Sequence, residues 1–480
     1  MKKIFLSIVV IFFCLATMAQ TDSAIGKQNI LTLQRCVETA LANNLDVFQS
    51  QLQMESSKIG KSQAKLNLLP SVNANIGQTF SQGRSIDPYS NTPVTQNVSS
   101  SDYGANTGVI LFNGLSLQNL IRQYSLTYEA SKMDWQQAKD NLTLSVILGY
   151  LQVLSTEDQL TQSRNQATLS GSQVERLQLM NQQGAIRPSD LSDLQGQYAN
   201  DKLTIVNTQN AVETAKINLC QLMNIPYNSG MELERIDLAA FAVKYESTRY
   251  QIYQTALQEL ALVKSVDLKE QSAAKAVKVA RGQLWPTLSF GAGISTAYSS
   301  VAQQNQYVNT TYVPTSDSAI GNGVKLPVYR FQDNFSPFSK IPYKDQINNN
   351  VYTSYGFNLS IPIFNSLQQR NRLKQAKINF RNSQFVSKTT RTQLGTSIDR
   401  AYANLHSAAD RYNVLLEQVT AYNESFNAAE IRFNNGVGTS VDYLIAKNNL
   451  DRANIDLITT KYDYVLRTKI LDFYQGKLLW

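Results

Sequence analysis

The amino-acid sequence is written twice, and a chain built from two copies of one pattern folds into two copies of one structural unit. Ala40-Leu41-Ala42-Asn43-Asn44-Leu45 recurs as Ala256-Leu257-Gln258-Glu259-Leu260-Ala261, and Leu69-Pro70-Ser71 recurs as Trp285-Pro286-Thr287, both 216 residues on. Ile110-Leu111-Phe112-Asn113-Gly114 recurs as Pro362-Ile363-Phe364-Asn365-Ser366, and Tyr150, Gly184 and Asp190 recur as Tyr402, Gly436 and Asp442, all 252 residues on. The register changes once, between residues 286 and 362, so one loop is longer in the second copy. Chance does not hold a register constant over such lengths.

Each copy has the same order of patterns. A helical stretch of about 35 residues (33–68; 250–284) runs up to a proline, which ends it. Period-2 alternation follows, the mark of a strand with two unlike faces. Val72, Ala74, Ile76 and Phe80 alternate with Asn73, Asn75, Gly77 and Thr79, and Leu288, Phe290, Ala292 and Ile294 with Ser289, Gly291, Gly293 and Ser295. After a polar, proline-containing loop a second alternating strand returns. The expected strands are near 71–80, 103–112, 287–298 and 351–361, with loops at 81–102 and 299–350. Each copy then holds a long proline-free stretch (116–187; 367–480), broken at matching places by Gly184 and Gly436. The first predicts a helix of about 66 residues, about 100 Å at 1.5 Å per residue. Shorter returning helices are expected at 188–223 and 441–473. Such helices suggest a coiled-coil-like shaft. The first repeat therefore covers 31–223, a connector 224–249, and the second repeat 250–476.

Composition supports this picture. A chain of 480 residues suggests about three globular domains, but helices this long do not fit inside one. Charged residues are 17 %, against roughly 25 % in an ordinary soluble domain. The mean hydropathy is nevertheless −0.26, which excludes a bundle of transmembrane helices. With 24 Tyr and 18 Phe, generic disorder is excluded as well. Low charge without high hydropathy suits strands that are apolar on one face and Ser, Gly, Asn or Thr on the other.

The N-terminus sets the compartment. Lys2 and Lys3 precede an apolar run, Ile4 to Leu15, and Thr17-Met18-Ala19 fits a small-x-small cleavage site. This predicts a secretory signal peptide at 1–19. The apolar run is too short for a span of about 20 residues, and Phe13 before Cys14 is wrong for lipidation. Cys36 and Cys220, in helical patterns, are read as small buried residues, since two lone cysteines make no disulfide framework.

Strands of about 9–11 residues are what a tilted crossing of a bilayer needs. Four strands cannot close a barrel, and open edges are not tolerated in lipid. If the strands span, the chain must oligomerise: two copies give eight strands and a filled interior, three give twelve and room for a channel. The competing readings are ordinary hairpins on a helical protein, a non-conducting structural protein bridging the periplasm, and an outer-membrane porin or receptor.

These residues together resemble the TolC-type outer-membrane efflux proteins. The resemblance runs from about Leu31 to Gly476. It is carried by the Leu-Pro-Ser and Trp-Pro-Thr strand starts, the Phe-Asn-Gly and Phe-Asn-Ser turns, and Gly436-Val-Gly-Thr-Ser-Val-Asp442-Tyr-Leu444. It implies a mixed α and β membrane protein: a homotrimer with a 12-stranded outer-membrane β-barrel, four strands per protomer, continued by a long periplasmic α-helical barrel. The connector and the C-terminal tail would join an equatorial girdle. It implies a passive exit duct for tripartite efflux or type I secretion, working with a periplasmic adaptor and an inner-membrane pump.

The resemblance also places a pore constriction at the helix tips. Asp442 falls on one aspartate of the family's acidic ring, whose second position is Ile445 here, leaving one carboxylate per protomer. A smaller ring charge weakens cation block. Asp190 matches a carboxylate that locks the closed state, but its partner positions, an arginine and a tyrosine in the family, hold Gly438 and Phe433. Arg187 and Arg432, nearby in sequence, are the candidate substitutes. Each aspartate also opens a returning helix, where a carboxylate is favoured, and the capping and pore readings both stand.

No enzyme is expected. The single histidine, His406, lies mid-helix, and no nucleophile–base arrangement, Cys/His metal spacing, P-loop or G-x-G-x-x-G is present. No cofactor or metal is implied, and seven scattered methionines give no soft-metal path. The net charge of +8 forms no basic run, which argues against nucleic acid.

Overall fold

The structure, a computed structural model, describes residues 30–86, 91–95, 97–236 and 245–477. The expected signal peptide, part of the connector (237–244) and the last three residues lie outside the described residues. In chain order the elements are α1 (Leu33–Asn43), α2 (Leu45–Leu66), β1 (Ser71–Ser81), β2 (Arg84–Ile86), β3 (Pro93–Thr95) and β4 (Val98–Phe112). The helices α3 (Ser116–Gln182), α4 (Pro188–Met223), α5 (Arg249–Glu259) and α6 (Ala261–Gly282) follow. Then come β5 (Thr287–Ser299), β6 (Gln303–Gln304), β7 (Tyr307–Gly321), β8 (Val324–Phe335), β9 (Ser339–Lys340), α7 (Tyr343–Asn349), β10 (Tyr352–Ser360), α8 (Gln368–Asn434) and α9 (Ser440–Tyr474). The duplication is visible in these bounds. Moved by 216 residues, α1 and α2 become α5 and α6; moved by 252, α3 becomes α8.

Two compact units are present: Met1–Met54 with Ala130–Asp267 and Val386–Trp480, and Glu55–Glu129 with Leu268–Phe385. The first is helical and holds three apolar clusters. One gathers Cys36, Val146, Tyr150, Leu154, Leu219 and Val465. A second gathers Ile252, Val263, Leu394, Ile398 and Leu471, and a third Leu177, Leu194, Phe426, Phe433 and Tyr443. Cys36 and Cys220 are buried free thiols. The described part of the connector is tied down beside them: Leu31 bridges Leu233, the Tyr150 hydroxyl lies 2.7 Å from the Glu234 carbonyl, and Lys216 donates to the Met231 carbonyl. No helix among the described residues is long and apolar enough to cross a membrane.

The first helix of each repeat is not continuous. It breaks at Asn44, which adopts an extended conformation (φ −72°, ψ 127°), and at the equivalent Leu260 (φ −67°, ψ 129°). Hydrophobic periodicity runs through both breaks, so the sequence pattern hides them. Asn44 restarts its helix itself, its Oδ1 accepting from the Asp46 and Val47 amides. Leu260 has no acceptor to offer, and Gln137 of α3 supplies one, 3.0 Å from the Leu262 amide.

The second unit is built on a four-stranded antiparallel sheet in the order β1-β4-β5-β10. Its register sorts the side chains into two unlike faces. Val72, Thr107, Ala292 and Tyr355 form one cross-strand row, Val109, Phe290 and Phe357 another, and Ile76, Tyr103 and Thr296 a third, all on one face. The intervening rows are Ser71, Gly108, Gly291, Gly356 and then Asn73, Asn106, Gly293, Ser354. β4 is irregular near its end: a bulge between Ile110 and Phe112 sets Phe112, not Leu111, opposite Leu288. Alternation read straight through the sequence would pair Leu111, not Phe112, with Leu288.

Strand-to-helix turns close the sheet. Gly114 and Leu115 both adopt left-handed backbone (φ 63° and 62°), as do their repeats Ser366 and Leu367 (53° and 63°). A Cβ on Gly114 would lie 2.4 Å from the Gly282 carbonyl oxygen, so the Phe-Asn-Gly turn needs its glycine for packing as well as for φ. The long second loop is not featureless. It holds the β7–β8 hairpin, turned by Asn322 and Gly323 at φ 50° and 82°, the helix α7, and Gln346, buried and hydrogen-bonded to Ser299 and Ile341.

Candidate functional site at the helix tips

Both returning turns lie in the first unit and are built alike. α3 ends as Gly184 (φ 69°) turns left-handed, with Gly184 N donating to Asn181 O and Ala185 N to Met180 O. α8 ends at Gly436 (φ 72°), with Gly436 N donating to Phe433 O and Val437 N to Arg432 O. This paired bonding is the Schellman motif. A Cβ at either glycine would meet no neighbour, so φ alone demands the residue. Gly438 is different: a Cβ there would press on Phe433 N at 3.1 Å.

α9 starts with a complete capping box. The Thr439 hydroxyl accepts from the Asp442 amide at 3.1 Å, and Asp442 Oδ2 accepts from the Thr439 hydroxyl at 2.8 Å and its amide at 3.4 Å. Asp442 and Ile445 are exposed. α4 starts at Pro188 behind Arg187, whose side chain makes no cap. Asp190, half-buried, is joined to the other tip: the Ser440 hydroxyl lies 2.9 Å from Asp190 Oδ1 and 2.9 Å from Asp193 Oδ2. One hydroxyl proton serves one of them at a time. Arg187 and Arg432 are exposed, and among the described residues neither makes an ion pair or a side-chain hydrogen bond within the protomer. Phe433 is buried, its ring stacked on Tyr443 at 5.1 Å. His406 is exposed on α8, edge-on to Tyr402 at 4.6 Å.

A buried ion pair near the tips was not legible as a motif. Lys447 of α9 is 1 % exposed. Its Nζ lies 3.0 Å from Asp201 Oδ2 on α4 and 2.6 Å from Asp451 Oδ2 on its own helix. Asp201, also buried, accepts from Ser170 of α3 and, at 2.7 Å, from Gln197. Burial holds the Asp451 carboxyl above its ordinary range, and Lys447 and hydrogen bonding oppose that. Beside the pair stands Tyr443, fully buried, with a hydroxyl that finds no hydrogen-bond partner among the described residues. Lys447 follows Asp442 by five residues and Asp201 follows Asp190 by eleven; nothing in the one-dimensional pattern joins them. Among the described residues no cluster of His, Cys, Asp and Glu could hold a metal ion.

The chain matches the family described as outer membrane efflux protein, over residues 36–224 and 252–476. The two matched stretches are the two repeats. No curated protein matches it in sequence. Among solved structures it is similar to CusC, described in terms of folding and transmembrane channel formation, with TM-score 0.76, 15 % identity and 96 % of each chain covered. It is similar to the outer membrane protein VceC of Vibrio cholerae, with TM-score 0.73, 13 % identity and 92 % and 94 % of the two chains covered. It is also similar to the CmeC outer membrane channel of Campylobacter jejuni, with TM-score 0.73, 16 % identity and 92 % and 85 % covered. At these identities the likeness is one of fold.

Proposed function

The chain belongs to the outer membrane efflux protein family, and from that premise we propose that three copies form one passive exit duct. Four strands from each copy make a 12-stranded barrel in the outer membrane, and the helices extend it into the periplasm. An adaptor and an inner-membrane pump supply the cargo and the energy. The observation that carries this reading is the register of the sheet. Most of the large apolar and aromatic side chains fall on one face, and the other face is made mainly of Gly, Ser and Asn, with Tyr352 and Ile110 the large exceptions near its two ends. A lipid face and a water-filled lumen require that division.

Closure follows from strand count. The four strands are all antiparallel, so the edge strands β1 and β10 run in opposite senses. Copies placed side by side then continue the antiparallel pattern around a ring. An isolated protomer would leave both edges unpaired in lipid, which is not tolerated.

At the tips, Asp442 gives the ring one carboxylate per copy, and the opening of the duct is controlled where the two helix hairpins meet. Recording from the purified protein in planar bilayers tests the reading. Discrete conductance steps are expected, rising in size and losing divalent block in Asp442→Asn. A protein that inserts but never conducts would instead favour the bridging, non-conducting role.

A further inference from the structure

We propose that Lys447 is the positioning residue of the tip: its ammonium clamps the α3–α4 hairpin to the α8–α9 hairpin through Asp201, and the charge state of Asp451 sets how firmly the clamp holds. The inference rests on the duct reading for its functional consequence, but the clamp itself is a property of the protomer.

The positions where the family resemblance implies a lock hold Gly438 and Phe433, and Phe433 is packed into the core, so no lock can be made there. The observed polar contacts between the two hairpins run along a different seam. Ser440 meets Asp190 and Asp193, Lys447 meets Asp201, Asn448 meets Gln197, and Gln173 meets Glu430. Among them the Lys447 pair is the buried, charge-assisted contact, and such contacts are the strong ones. Removing one member leaves an uncompensated buried charge, which is far worse than removing both.

The clamp is built with too much negative charge. One ammonium faces two carboxylates, Asp201 on α4 and Asp451 on α9. Glu430 from α8 adds another nearby, and Arg176 from α3 is turned to Asn434. The Tyr443 hydroxyl sits in the field of Glu430, Asp451 and Asp201 without accepting or donating to any of them. A buried hydroxyl left unpaired in the field of three carboxylates is costly, and it marks the cluster as a sensitive one. Burial raises Asp451, so the folded cluster holds a proton more tightly than the unfolded chain does. Linkage then fixes the sign. The clamp tightens as falling pH protonates Asp451, and loosens as Asp451 ionises.

Hydrogen–deuterium exchange of the full-length protein, corrected for the intrinsic pH dependence of exchange, reads the clamp at the tip amides around Gly184 and Gly436. In the wild type, protection there should fall severalfold between a buffer acidic enough to protonate Asp451 and one in which it is ionised. Asp451→Asn should abolish that dependence and keep protection high. Lys447→Met should lose protection at every pH, and Lys447→Arg should restore most of it. Bilayer conductance should follow the same order, the tight states being the low-conducting ones. Wild-type pH dependence persisting in Asp451→Asn, or Lys447→Met protected like the wild type, overturns the proposal. Exchange behaving as expected while no variant conducts would overturn the duct reading and leave the clamp standing.

Discussion

At the scale of single residues, the tip separates two roles that one aspartate can play. Asp442 completes the Thr439 capping box and is exposed. Asp442→Asn keeps an oxygen for the cap but removes the charge, whereas Thr439→Ala removes the cap and keeps the charge. The ring role predicts that Asp442→Asn raises conductance with little change in stability. Loss of the cap in Thr439→Ala should cost about 1 kcal/mol with conductance nearly unchanged, as measured by denaturant unfolding and bilayer recording on the same preparations. Gly184 and Gly436 give a second test. Alanine at either must hold φ near +70°, at a cost of about 1 kcal/mol, and denaturant midpoints should fall for both alike, because the turns are two copies of one motif. The glycines and aspartates were legible in the sequence because a left-handed turn and a first-turn carboxylate are local requirements. The Lys447–Asp201 pair was not, because it joins residues 246 positions apart that share no local signal.

At the scale of elements, helix identity was plain where periodicity was long, and the helix bounds of the two repeats agree to the residue in α1, α2 and α3. The breaks at Asn44 and Leu260 were hidden because each costs one residue and leaves the apolar stripe intact. The bulge at Leu111 was hidden because alternation says nothing about partners. It takes the neighbouring strand to show that Phe112 faces Leu288. Cross-strand rows also make the sheet's two faces testable. Tyr355 and Phe357 lie on the apolar face, Asn106 and Gly291 on the other. Arginine at Tyr355 should destabilise the inserted protein by roughly 2–4 kcal/mol if it sits near mid-bilayer, seen as lost heat resistance of the assembled form. Arginine at Asn106 should be tolerated and should shift ion selectivity towards anions. Equal effects at the two positions would contradict the assignment of faces.

At the scale of the whole molecule, the duplication fits the ring of the proposed duct. Two similar repeats per copy turn a small number of copies into a larger number of similar parts. In the proposed duct, the even, antiparallel strand count leaves edges that another copy completes. The protomer's helical unit carries all three apolar clusters found among the described residues, while the sheet keeps Val72, Ile76, Phe80, Tyr355 and Phe357 exposed. In the proposed duct, lipid and neighbouring copies cover such a surface. The most direct test is disulfide trapping across that edge in intact outer membranes. One cysteine is placed at Asn73 or Asn75 on β1 and a second at Ser354, Gly356 or Asn358 on β10, with the native thiols buried. The account predicts that one or more pairs give covalent ladders that stop at three chains and collapse to monomer on reduction. Monomers throughout, or ladders that stop at two or run on past three, would contradict it.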